Sequence, residues 1–156
     1  MRIGRNVILP LLLLVLPAAP AFGGIFRVHP DGSDLNDGSD WQHAKATVQA
    51  AIDAALEGDE IWVAEGTYAE HIHNRISGEL AVNVALYGGF AGDETSREER
   101  DPAAHTTTLD GTNSGIVVTI TGLAGRDTRI DGFHIINGHA SGFTSDGGGL
   151  SVVGSA

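Results

Sequence analysis

The sequence predicts an all-β fold: a right-handed single-stranded parallel β-helix of about five coils behind an N-terminal capping helix. Three observations predict it. Gly66, Gly88, Gly111, Gly132 and Gly154 fall 22, 23, 21 and 22 residues apart. Each closes a short β-prone run: Ile61–Gly66, Val84–Gly88, Thr107–Gly111, Thr128–Gly132 and Leu150–Gly154. A single amphipathic helix precedes the first of these runs. Strand-plus-turn units of this kind cannot bury an apolar face alone, so they stack and share a core. An antiparallel sandwich, the competing architecture, predicts turns every 8 to 12 residues or so without long-range register.

The first 23 residues stand outside that fold and read as a secretory signal peptide. Arg2 and Arg5 make a basic start, Val7 to Leu16 is apolar, and Pro17 to Gly23 is small and turn-prone. Cleavage fits after Ala21 or after Gly23. The apolar stretch falls short of the about 20 residues a membrane span takes, and Pro10 interrupts it. The mature chain therefore carries no transmembrane span and is exported, to the periplasm, the cell surface or beyond. Without cysteine there is neither a lipoprotein anchor nor a disulfide framework. Losing residues 1–23 removes two arginines and no acid, leaving 7 basic against 20 acidic residues, a formal charge of −13. Such a surface repels nucleic acid and anionic lipid. It also repels an acidic polysaccharide unless a cation bridges the two.

Residues 24–58 form the expected cap. It opens with a strand over Ile25–Val28, continues through the polar turn run Asp31–Asp40, and ends in a helix. Thr47 is its N-cap and Gly58 its stop. Val48, Ala51, Ile52, Ala55 and Leu56 make one apolar stripe, with Gln49, Asp53 and Glu57 opposite. This helix is the lid that covers unpaired strand edges at the N-terminal end. Residues 59–156 are the coils. There the period is 2: Ile61 and Val63 point one way and Trp62 the other. Gly88 to His105 is Gly-rich, then charged, and is expected to stand off one corner as a loop. Later strands are expected over Ile116–Ile120 and Phe133–Ile136. The chain stops in the middle of a rung. The expectation is a longer protein, or end-on contact of a partner at the C-terminal rung.

The run Asp31-Gly-Ser-Asp-x-Asn-Asp-Gly-Ser-x-Trp41, then Thr47 to Ala55, then Gly58 to Tyr68 with Glu70, resembles the opening of bacterial secreted right-handed β-helix proteins of the pectate-lyase-like superfamily. Leu86 to Thr95, Arg100-Asp-Pro102 and Ile130 to Gly138 are similar to large exported members of that group. The resemblance implies fold and export. It says little of activity, because members include polysaccharide lyases, hydrolases, adhesin-like surface proteins and proteins with no known activity.

Glu65, Asp110 and Asp131 each precede a register glycine. Stacked coils lie about 4.8 Å apart, which would make Asp110 and Asp131 vertical neighbours, with Tyr87 between Glu65 and Asp110. Two carboxylates that close share a cation or force one pKa upward, so one reading is a Ca2+ site bridging to an anionic sugar chain. The other, commoner reading is ordinary Asp-Gly turn chemistry. Asp31, Asp34, Asn36, Asp37 and Asp40 offer five oxygen ligands suited to Ca2+, though Ser33 and Leu35 break the EF-hand pattern. His71 and His73 share a strand face without a third ligand in register.

Lyases of this fold need a tuned Lys or Arg as base. Lys45, the chain's one lysine, lies beside the lid helix, and Arg126 and Arg129 come without a basic cluster. No family catalytic residue carries over. The expected function is a non-catalytic exported or cell-surface protein that binds glycans, acts as an adhesin-like stalk or is structural. The alternative is a Ca2+-dependent pectate lyase whose catalytic coils lie beyond Ala156.

Overall fold

The computed structural model describes residues 23–73, 75–76, 79–81, 84–121, 128–140 and 148–153. The expected signal segment up to residue 22, Arg126 and Gly154 lie outside the described residues.

Strand β1 (Ile25–Val28) is followed by helix α1 (Val48–Ala54), then β2 (Glu60–Ala64), β3 (Gly66–Tyr68) and β4 (Ile72–His73). An antiparallel pair, β5 (Arg75–Ile76) and β6 (Glu79–Ala81), comes next. It precedes β7 (Ala85–Phe90), β8 (Thr107–Asp110), β9 (Val118–Thr121), β10 (Arg129–Asp131), β11 (Phe133–Ile136) and β12 (Leu150–Val153). The other ten strands pair in parallel as three small sheets: β1-β2-β7-β10, β11-β8-β3 and β12-β9-β4.

This corrects the expected architecture. Among the described residues the chain forms three small parallel sheets of short strands with one α-helix, not a single-stranded β-helix of about five coils in a 22-residue register. The paired steps are unequal: Ile61 lies beside Leu86, and Leu86 beside Ile130, 25 and 44 residues on. Nor do the register glycines line up. Gly66 pairs with Thr107 in the second sheet, while Gly88 pairs with Val63 in the first. A glycine after a β-prone run marks a corner, and a corner does not reveal which sheet the strand belongs to. Residues 91–106 separate β7 from β8, so the strand expected to stack on Tyr87 enters the second sheet instead. Where Gly88 and Gly132 do meet, backbone approaches backbone. A Cβ on Gly88 would stand 2.5 Å from the Gly132 carbonyl oxygen, and one on Gly132 2.6 Å from that of Gly88.

Helix α1 begins where its cap places it. The Thr47 hydroxyl accepts the Ala50 N–H, and the Glu70 carboxylate accepts those of Val48 and Gln49 at 2.9 and 3.0 Å. The donors a helix leaves orphaned at its start are thus met by side chains. Burial raises the Glu70 pKa, these two N–H bonds oppose the shift, and Asp34 adds to it. The helix ends at Ala55, before Gly58, and Leu56 is exposed rather than part of the apolar stripe. Val48, Ala51 and Ile52 face inward, and the helix packs on β1, β2 and β4.

The alternation in β2 holds. Ile61 and Val63 join the main core with Leu86, Leu109 and Val118, while Trp62 faces a second cluster with Tyr87 and Phe90. The first sheet is therefore apolar on both faces, as parallel strands usually are. Thr107 is wholly buried at the junction of the first and second sheets. Its Oγ1 accepts the Gly89 N–H at 2.9 Å and lies 3.3 Å from the Val63 and Ala64 carbonyls, either of which can take its proton. Leu109 is fully buried in the main core. Leu109→Ala is expected to cost about 2–5 kcal/mol of unfolding free energy, read from urea denaturation, because the lost methyls leave a cavity.

Candidate ligand-binding cleft

The outer face of the first sheet carries Trp62, Tyr87 and Phe90, whose area must be covered. Two segments cover it. The first is the turn run before α1. Asp37 accepts the Ser39 N–H at 2.9 Å and Asp40 accepts that of His43 at 2.7 Å, two local turns that carry Trp41 across the sheet. The Trp41 ring lies tilted on Phe90 at 5.7 Å, and Phe90 stacks on Trp62 at 4.9 Å. Arg27 sits over both tryptophan rings and donates to the Ser39 carbonyl.

The second segment is 91–106, which was expected to stand off a corner. It folds back as a strap instead. Gly92 takes a φ of +105°, which favours glycine. The buried Glu94 carboxylate then gathers the N–H groups of Ala91, Gly92 and Asp93 at 2.6 to 3.1 Å. Burial works to raise the Glu94 pKa, but these backbone bonds prevail and hold it low. The Glu94 carbonyl accepts the Trp41 indole N–H at 2.9 Å, tying the two segments together.

Farther along the strap, three guanidinium groups surround the Tyr87 ring, those of Arg97, Arg100 and Arg129 at 4.9, 5.2 and 5.7 Å. Arg97 also bonds Glu60 at 2.6 Å, and Arg100 and Arg129 share Asp131 at 2.7 and 2.9 Å. The basic cluster that Arg129 lacks in sequence is therefore assembled in space, and its Arg97 and Arg100 hold the strap down.

Where the segments meet, Asp40, Trp41, Gln42, Gly92 and Asp93 line an open cleft of about 350 Å³. The Asp40 Oδ1 takes both His43 bonds, including the ring Nδ1 at 2.8 Å. The His43 N–H first and its ring second hold the Asp40 carboxyl below its ordinary value, so it is ionised at neutral pH. Asp93 is exposed. An aromatic surface flanked by carboxylates and an amide suits a hydroxyl-rich ligand: the ring offers an apolar face and the polar groups fix orientation.

Of the expected metal ligands, the carboxylates of Asp110, Asp131, Asp34 and Asp37 have other partners. Asp110 pairs with Ile136 in the second sheet, whereas Asp131 pairs with Tyr87 in the first, so the two are not vertical neighbours. Asp110 accepts the Thr112 N–H at 2.8 Å and the Asn137 amide at 2.9 Å. Glu65 meets the His105 ring. In the acidic run, the Asp34 carboxylate accepts the N–H groups of Ala46 and Thr47 and the Thr47 hydroxyl. Asp37 closes its turn on Ser39, and the Asp31 N–H donates to the His29 ring. The centre of this loop holds the ammonium of buried Lys45, which donates to the carbonyls of Asn36 at 2.8 Å and Asp34 at 3.3 Å. His71 bonds the Ile116 carbonyl and Ser114, while the backbone of His73 pairs with the Gln49 side chain. Among the described residues no group of three or more His, Asp or Glu side chains is arranged to hold a metal ion.

Trp41, Gln42 and Asp93 were not legible as a site, because the two halves of the cleft lie some fifty residues apart. The one local signal was a tryptophan set among Asp40, Gln42 and His43, without an apolar neighbour in sequence. No protein-family model, curated protein or solved structure matches the chain.

Arg129 first and Arg100 second hold the Asp131 pKa below its ordinary value. A depressed carboxylate adds stability above the unfolded value, near pH 4, and loses it as pH falls through the lower folded value. Asp131→Asn is therefore expected to destabilise the fold by about 1 kcal/mol at pH 7. In urea melts the gap to the parent chain should close as the pH is taken below the ordinary carboxylate range.

Proposed function

We propose that the chain is a non-catalytic module of an exported or cell-surface protein that binds glycan in the Trp41 cleft. The single observation that carries this reading is the meeting of an indole with two carboxylates and an amide around an open cavity. Trp62, Tyr68, Tyr87 and Phe90 are buried, whereas Trp41 lines a space open to solvent. The support for export is the basic, then apolar, then small-residue order of residues 1–23. Asp110 and Asp131, the pair that a Ca2+ bridge to an anionic sugar chain would call on, belong to different sheets.

Affinity electrophoresis through gels containing neutral, amino-sugar and uronate polysaccharides tests the reading. At least one should retard the chain. Trp41→Ala should weaken that retardation about tenfold or more, as loss of an aromatic anchor does, and Gln42→Ala, at an exposed position, should weaken it with the circular dichroism spectrum unchanged. Unaltered mobility in every gel would end the proposal.

A further inference from the structure

We infer that the cleft selects cationic amino sugars, glucosamine-type units with a free ammonium, over uronates and over N-acetylated sugars. This rests on the glycan-binding reading and narrows it.

The argument is one of charge and of hydrogen-bond sign. Asp40 and Asp93 come from the two sides of the cleft, with Trp41 between them, and no Lys or Arg lines it. The Arg27 guanidinium is held over the Trp41 and Trp62 rings with its N–H on the Ser39 carbonyl. His43 engages Oδ1 of Asp40 twice and the Gln42 N–H lies against the same carboxylate, yet no direct hydrogen bond to Oδ2 is formed among the described residues. The Asp93 carboxylate accepts no hydrogen bond among the described residues either, although its N–H donates to Glu94. The cleft thus presents acceptors that lack donors. An ammonium carries three donors, no acceptor and a positive charge, and it is drawn both to carboxylates and to an indole face. A uronate brings a further acceptor and a like charge to the same place. Acetylation removes the charge and leaves an amide with one donor.

The wider molecule points the same way. Its formal charge of −11 over 156 residues concentrates cations near the surface and repels polyanions before contact. That long-range field cannot by itself distinguish one polycation from another. The distinction falls to Trp41, which meets the ring of a sugar as well as its charge.

Isothermal titration of the full chain with four oligomers tests this: tetraglucosamine, its fully N-acetylated counterpart, tetragalacturonate and tetralysine. Tetraglucosamine should bind about tenfold or more tighter than the N-acetylated form, and tetragalacturonate should give no heat. Asp93→Asn, at an exposed position where folding is not at stake, should cost tetraglucosamine about tenfold and weaken the N-acetylated oligomer less. Equal binding of the charged and acetylated oligomers would overturn the selectivity and leave the glycan reading standing. Binding of tetralysine as tight as that of tetraglucosamine would overturn it as well, by reducing the effect to net charge. Silence from all three sugars would remove the glycan reading itself.

Discussion

The first sheet is apolar on both faces, and much of the molecule follows from having to cover the second of them. Inside, Ile61, Val63 and Leu86 close on the main core. Outside, Trp62, Tyr87 and Phe90 would lie in water unless other chain segments crossed them. Burying an aromatic side chain is among the larger single gains open to a small domain. Two segments do the covering, the turn run around Trp41 and the strap after β7. Neither has regular structure beyond the short 3-10 turn at Arg97–Glu99, so side chains join scattered backbone hydrogen bonds in fixing them. Glu94 satisfies the strap's first turn, and Arg97 and Arg100 fasten its far end onto Tyr87. The cleft is what remains where the two covers meet without closing.

Charge is distributed by the same logic. The chain has 9 basic and 20 acidic residues. Five of the basic side chains have work to do in the fold. Lys45 fills the acidic loop, Arg27 lies over two indoles, and Arg97, Arg100 and Arg129 ring Tyr87. Asp34 and Asp37 look in sequence like cation ligands but act as turn and cap acceptors. The loop that could have received a metal ion encloses an ammonium of its own. No Lys or Arg lines the cleft, and what faces solvent there is acidic.

Several features were legible because they depend only on neighbours along the chain. Thr47 caps α1 because a hydroxyl at that position reaches an orphan N–H three residues on, whatever the tertiary fold. The strands Ile25–Val28 and Phe133–Ile136 fall where β-prone runs end in turn residues. The split of Ile61 and Val63 from Trp62 follows from the two-residue period of any strand. The parallel sense of the pairing also agrees with the expectation, as β1 beside β2 shows.

Assignment of strands to sheets was not legible, and with it went the pairing of Asp110 with Asp131. A glycine closes a strand in the same way at every corner, so evenly spaced glycines cannot show that residues 91–106 delay β8 into another sheet. The cleft was hidden for a related reason: Trp41 and Asp93 meet only because both segments are drawn to the same apolar face. By itself, the sequence determined where strands and the helix begin and which side chains point inward, since those are properties of short stretches of backbone. The tertiary structure alone decided which strands lie side by side, where the arginines gather and what lines the open cavity. Those outcomes depend on burying surface shared by segments far apart along the chain.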